Sequence, residues 1–492
     1  MSVTRKQFLH AGAAATLGLM LPGDLFARPL DTASLPDITT ANLPGKDEMW
    51  RWMRQLADWC PMFTGGPGHT SLVNFLDEEL RRSGLVPERK TFKLPYWDLK
   101  AYGIQAGGEK LHAAGYRPYS GPTPPSGVTA PLYNAGVAPN FDFSGARGKI
   151  VLMEMAPVRP PQAGAAGGAP VGLIGTNPPG ASIAGSRGNA LRGLTTDTSN
   201  MKPIEDAGAV GVVHIWSGVS DGNAQDQAIP PFGTPTTVPV VLVGHGTGER
   251  LKALAASGIS ATLVHHAVVH PDTPADNLWA TLPGRSEEAI IVNTHTDGCN
   301  ANEENGALAV VALARYFSKL PAAERKRTLV FLMTAGHFGH GYFRGTADWM
   351  QTNAELLKRT VACVTIEHLG ALGWQDDVAA NQYRPTGQGE WAVAHATRPA
   401  GEVFLRAAEG TAASNIYSVV AAGSYPGEGA GFFRAGVPVV SYIPTPQYLF
   451  VAPEKGGALD KLDKDRFYGE VVTFARTVAA LDGMSAADIK GA

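Results

Sequence analysis

Four short runs of unbroken apolar residues constrain this chain most: Ile290-Ile291-Val292, TLVFLM ending at Met333, VACVTI over 361–366 and VPVVSY over 437–442. Apolar runs of this length without alternation read as strands buried on both faces. Between and after them lie stretches with helical apolar spacing, over 307–320, about 346–358 and 461–481. Strands alternating with helices predict an α/β fold of three layers, a mostly parallel sheet flanked by helices. A hydrophobic content of 44% against 17% charged residues supplies the core such a fold needs. A net charge of -3 provides no electrostatic footprint for nucleic acid.

Open α/β sheets bind ligands outside the carboxyl ends of their strands. The ends of three of these strands are rich in histidine and carboxylate. IIVNTHTDGCNANEENGALA (290–309) carries His295, Asp297, Asn302, Glu303 and Glu304 before Gly306 opens a helix. TLVFLM runs into Thr334, Gly336, His337, Phe338, Gly339 and His340, and VACVTI runs into Glu367 and His368. Each residue alone reads as a hydrogen-bonded loop residue. As a set on neighbouring strand ends they are the residue types that hold a divalent metal or transfer protons near neutral pH. Cys60, Cys299 and Cys363 are scattered, forming neither a disulfide framework nor a zinc knuckle. Cys299 reads as a small buried residue.

Residues 1–30 combine Arg5 and Lys6 with the apolar run AGAAATLGLML, an export signal of twin-arginine type with Lys at the second position. This predicts a periplasmic or secreted protein, and no run is long enough to span a membrane. Residues 31–121 begin as a linker and continue with an amphipathic helix from Asp47, a turn-rich loop holding His69, a helix over 71–83 and a strand with Lys90, Phe92 and Leu94. Residues 122–272 contain the short strands KIVLMEM, GVVHIW and VPVVLV, and a Gly/Ala/Pro-rich run over about 156–200 that reads as a long mobile loop. His265, His266 and His270 close this region and read as strand or linker histidines. Residues 273–492 carry the main part of the α/β domain.

Gly148-Lys149 before a strand, Asp206-Ala-Gly-Ala before Gly211-Val-Val, and Val238-Pro-Val-Val before Gly246 and a helix with Leu251 and Leu254 resemble the protease-associated domain. That is a β-rich insertion, which implies a lid or access role over 122–272. With His295-Thr-Asp297 and the ordered strands behind it, the chain resembles the zinc exopeptidase family of leucyl aminopeptidases, glutamate carboxypeptidase and the transferrin receptor. The resemblance implies two zinc ions, with His295 at a ligand position and Asp297 orienting it. Asn302 stands where a bridging Asp is expected. Gly336 stands at the general-base position and His337 at a ligand position. Glu367 takes the place of a third-strand Asp, and Pro446-Gln447 falls where a late His belongs.

The expectation is an exported hydrolase of this fold with a remodelled site, distinct from an ordinary dizinc aminopeptidase. One divalent metal, zinc first, would be held by His295, His337 and Glu367. Asp297, Glu303, Glu304, His340 and His368 would supply acid–base groups. A metal-free polar pocket is the alternative cofactor state. A catalytically inactive binding protein and a lyase or cyclase using the His/Glu cluster are the alternative functions. The expected partner is a small-molecule or peptide-like substrate, with no nucleic acid and no membrane span. Oligomeric state is left open.

Overall fold

The computed structural model describes residues 35–155, 172–183, 201–230, 236–338, 344–422, 425 and 427–491. The expected export signal and His340 lie outside the described residues. Helix α1 (Lys46–Trp59) buries Met49, Trp52, Met53 and Leu56, a stripe at helical spacing. Helix α2 (Pro67–Arg82) begins four residues earlier than the expected 71, with Pro67 in its first turn. His69, expected in a loop, therefore lies inside a helix and is fully buried.

Strand β1 (Pro87–Ala106) is followed by β2 (Val128–Val137), β3 (Ile150–Met155), β4 (Gly211–Trp216) and β5 (Val240–Gly244). Helix α3 (His245–Ala256) then leads into the long β6 (Ser260–Leu282). β7 (Ser286–His295), helices α4 (Ala301–Glu304) and α5 (Gly306–Ser318), and β8 (Arg327–Thr334) come next. The chain closes with α6 (Arg344–Thr352), β9 (Thr360–Ile366), β10 (Ala392–Ala396), α7 (Arg398–Ala408), β11 (Ile416–Val420), α8 (Gly429–Arg434), β12 (Val439–Tyr442) and α9 (Lys464–Gly483).

The strands lie in the order β11-β10-β12-β9-β7-β8-β6-β2-β3-β4-β5. β8, β7, β9 and β12 run parallel, and so do β2, β3, β4 and β5. The antiparallel ribbon of β1 and β6 joins the two blocks: Leu278–Leu282 pair with β8, while Ser260–Leu263 pair with β2. The four apolar runs are thus strands covered on both faces. Ile290 and Val292 pack under α1, α2, α5, α7 and α9, whereas Ile291 faces Trp349 of α6 and Phe432 of α8.

The Gly/Ala/Pro-rich run departs from the expectation of a continuous loop. Leu173–Asn177 form a strand antiparallel to β11, and the Asn177 amide donates to the carbonyls of Ala408 (3.3 Å) and Ala413 (2.6 Å). LIGTN has too little apolar alternation to reveal itself; the pairing comes from the sheet edge it meets. Among the described residues, no helix is long and apolar enough to cross a membrane.

Candidate metal centre at the strand ends

Parallel pairing sets the carboxyl ends of β7, β8 and β9 side by side. His295 lies opposite Thr334, and Asn293 opposite Thr365, one residue short of the end of β9. The bend after β7 folds back over these ends because α5 starts so close to β9. A side chain at Gly306 would sit 2.1 Å from the Ile366 carbonyl oxygen and 2.5 Å from Thr294 Oγ1. Asn300 caps the short α4, its oxygen accepting from the amides of Asn302 (2.9 Å) and Glu303 (3.3 Å).

The segment after β9 is held from several sides. Asn305 both donates to the Leu369 carbonyl and accepts from the Leu369 amide, at 2.7 Å each. The Gly370 amide donates to Glu470 (2.6 Å). His368 is left-handed, with φ 59°, a conformation costly for a side chain of this size. The surrounding bonds hold it there and aim its ring inward.

Three imidazoles converge. His295 Nδ1 lies 3.2 Å from the Asp297 carbonyl oxygen, His368 Nδ1 2.6 Å from the Pro444 carbonyl oxygen, and His337 Nδ1 3.0 Å from Glu428 Oε1. Each of these acceptors assigns the proton to Nδ1 and turns Nε2 towards the cluster. The rings of His295 and His337 stack at 4.0 Å, and His368 meets His295 edge-on at 6.0 Å. Glu303 Oε2 is 3.4 Å from His368 Nε2, and Glu303 Oε1 is 3.9 Å from His337 Nε2. Glu367 Oε2 is 3.9 Å from Nε2 of both His295 and His368, while its Oε1 accepts from the Glu428 amide at 2.9 Å. All of these residues are at most 8% exposed.

Burial and mutual charge shape the titration. Burial, with the neighbouring His337 and His368, holds His295 well below the usual histidine range. Burial lowers His337 too, but is outweighed by its hydrogen bond to Glu428 and by the charges of Glu428, Glu367 and Glu303, leaving it raised to about 9. Burial lowers His368, but the charge and close contact of Glu303, with Glu367 and the Pro444 carbonyl adding to it, leave it raised. Burial raises Glu367, against the pull of His368 and His337.

The ligand atoms of His295, Glu303 and His368 all lie within 4.8 Å of one another, with Glu367 Oε2 beside them at 3.9 Å from both histidines. This grouping differs from the expected trio of His295, His337 and Glu367, although all five residues are neighbours in one buried cluster. Nε2 of His295 and of His368 and Oε2 of Glu303 are buried without a hydrogen bond. A divalent cation with nitrogen and oxygen ligands fits such orphaned donors.

Other expected positions have different roles. The Asp297 carboxylate does not reach His295. It fastens the turn after β8, accepting from the amides of Gly336 (3.1 Å), His337 (3.2 Å) and Phe338 (2.8 Å), and from the Thr64 hydroxyl. Glu304 lies against Gly298, where an added side chain would come within 1.9 Å of its Oε1, and neither oxygen has a hydrogen bond. Burial first, then the charges of Glu303 and Asp297, push it well above the usual carboxylate range. Asn302 donates to the Leu369 carbonyl (3.1 Å), a structural bond at the bridging position. Gln447 accepts from Asn223 (2.5 Å), which also donates to Asp376 (2.9 Å); this ties Gln447 to the β2–β5 block and not to the cluster. Cys299 is a buried thiol donating to the Ala228 carbonyl (3.4 Å). His69 contacts Thr296 (3.0 Å) behind the site.

Glu428 belongs to none of the His- and Glu-rich strand ends. It stands in PGEGAGFF, a lone carboxylate between glycines at the start of a helix, and that signal could have flagged it. A surface group, Glu154, His245 and Glu249, also has metal-ligand spacing, but Lys252 occupies it at 2.7 Å from Glu154 and 2.5 Å from Glu249. Trp374 and Tyr383 flank the Lys461 ammonium, and Tyr425 stacks on His395, so the aromatics after β9 do not share one pocket.

No protein-family model matches this chain, and no curated protein matches it. Solved structures do. A zinc aminopeptidase from Bacillus subtilis aligns with a TM-score of 0.62 and 18% identity, covering 91% of this chain and 98% of that one. A peptidase M28 precursor from Shewanella amazonensis SB2B aligns with a TM-score of 0.62 and 14% identity over 90% and 98% of the two chains. The aminopeptidase from Aneurinibacillus sp. strain AM-1 gives a TM-score of 0.58 and 17% identity over 89% and 92%. The chain has the fold of these aminopeptidases and of the peptidase M28 precursor, an α/β architecture with a large sheet flanked by helices.

Proposed function

We propose that this chain is a single-metal hydrolase that cleaves an amide bond in a peptide-like substrate, the metal being held by His295, His368 and Glu303. The observation carrying this reading is that these three buried donors lie within 4.8 Å of one another and direct orphaned atoms at one point. A cation there, zinc first, would polarise the substrate carbonyl and acidify a bound water. Glu367, anchored through one oxygen by the Glu428 amide, has its other oxygen facing the same point and accepts the proton of the attacking water. His337, fixed by Glu428, presents a donor to the negative charge that develops on the carbonyl oxygen. A second metal does not fit: Asn302 is committed to Leu369, Gln447 to Asn223, and Gly336 offers only its backbone.

In this reading the chain is exported by its first thirty residues, and residues 122–272 act as a protease-associated-type cover. Supporting the cover, Ala228 and Ala267 of this segment pack in one cluster with Phe63, Cys299, Phe338 and Phe450, and the Ala228 amide donates to the Phe450 carbonyl at 2.8 Å. The closure of the site favours a second reading, a metal-binding recognition protein without turnover.

The test is hydrolysis of a peptide and amide panel by the zinc-loaded full chain, with a chelated control. We expect turnover slower than that of a dizinc aminopeptidase, abolished by chelation and lowered more than a hundredfold in His295→Ala. Hydrolysis that survives both treatments rejects the reading; metal bound without any turnover favours the recognition protein.

A further inference from the structure

Beside the cluster, residues of α6 and of the segment running into α8 line a cavity of about 280 Å³. Its inner end is the Glu428 carboxylate, which is 2% exposed, accepts from His337 Nδ1 at 3.0 Å and takes a hydrogen bond from Thr346. Its walls are Thr346, Ala347 and Met350 from α6 and Gly431 from α8. A side chain at Gly431 would press on Met350 Sδ at 3.0 Å, so the glycine keeps the space open. At the outer end stands Arg434, exposed and without an ion pair among the described residues.

We propose that this cavity is the docking groove for a short peptide, recognised by its free C-terminal carboxylate at Arg434. The inference deepens the hydrolytic reading and rests on it only for what happens at the inner end. From Glu428 to Arg434 the helix rises about 9 Å, at 1.5 Å per residue. An extended peptide covers that distance in two to three residues, at about 3.3 Å each. The charges fix its direction. With the carboxylate outward it meets a guanidinium, and its amine or amide N–H groups face Glu428; reversed, carboxylate would face carboxylate. Met350 and Ala347 give the walls an apolar character suited to small uncharged side chains. The substrate class is therefore di- and tripeptides with a free carboxyl end.

Arg434 and Ala347 are exposed, so both can be changed without opening the core. The experiment is calorimetric binding of tri-alanine and tri-alanine amide to the full chain, with chelator present to prevent turnover. Tri-alanine should bind at least tenfold more tightly than its amide. That preference should fall to about one in Arg434→Ala, and Ala347→Phe should weaken both ligands. Equal binding of the two, a preference unchanged in Arg434→Ala, or no binding of either overturns the proposal. The same pair of peptides is then assayed with zinc-loaded protein. Binding that depends on Arg434 without hydrolysis defeats the hydrolytic reading and leaves the groove standing. Hydrolysis indifferent to the terminal charge and to Arg434 defeats the groove and leaves the hydrolytic reading.

Discussion

His214 on β4 and His265 on β6 are as enclosed as His295 and His368 at the ends of β7 and β9. What faces them differs. His265 lies 4.8 Å from the ring of Trp97, with Ser120 and the Gly121 carbonyl beside Nδ1, and His214 has the Arg117 guanidinium as its charged neighbour. No carboxylate is among these contacts. The strand-end histidines instead face Glu303, Glu367 and Glu428. Burial alone makes a histidine a neutral packing residue; burial beside carboxylates makes it a candidate ligand.

That contrast can be broken by acid. Burial pushes His214 down to about 3, with Arg117 adding to it, and pushes His265 down to about 4 against its backbone hydrogen bonds. Unfolded, both titrate near 6.5. Between the folded and unfolded values the unfolded chain binds more protons, so stability rises with pH and is lost as pH falls through 6.5. Each group contributes about 1.4 kcal/mol per pH unit, a few kcal/mol across the window. Urea unfolding of wild type and His214→Leu from pH 7 to 4 should give curves that converge with acidification by about that slope. Parallel curves would show that His214 is not held neutral.

The carboxylate side of the contrast is sharpened by Glu428→Gln. This keeps the shape but removes the charge behind His337, the donor to the developing oxyanion, and amide turnover of the zinc-loaded chain should fall about 10–100-fold at unchanged zinc content. Unchanged turnover would separate His337 and Glu428 from the chemistry. The smallest effect belongs to Gln447→Ala. Loss of one hydrogen bond to Asn223 should cost about 0.5–1.5 kcal/mol of stability and leave metal content unaltered. A drop in metal content would return Gln447 to the ligand set.

Much of the sheet was legible because period and burial coincide. Unbroken apolar runs can only be strands with both faces covered, and their His- and Glu-rich ends mark the edge where a site forms. The division of labour within that edge was not legible. Asp297 and Asn302 look like site residues in sequence, yet one ties down a turn and the other a carbonyl, because backbone amides left at strand ends need partners. The sequence marks His368 as an acid–base group, and only its left-handed backbone, which turns the ring inward, brings it into the ligand grouping. Glu428 comes from sixty-one positions further along the chain than Glu367, and only tertiary packing brings it to His337. Leu173–Asn177 was hidden for the same reason, its pairing being a property of the sheet edge.

The central claim is one metal per chain at His295, Glu303 and His368. Elemental analysis of zinc-equilibrated, gel-filtered full-length protein, with His368→Ala beside it, tests it most directly. The account predicts one zinc per chain in the wild type and substantially less than one in His368→Ala. Two zinc ions per wild-type chain, none at all, or full occupancy in His368→Ala would contradict it.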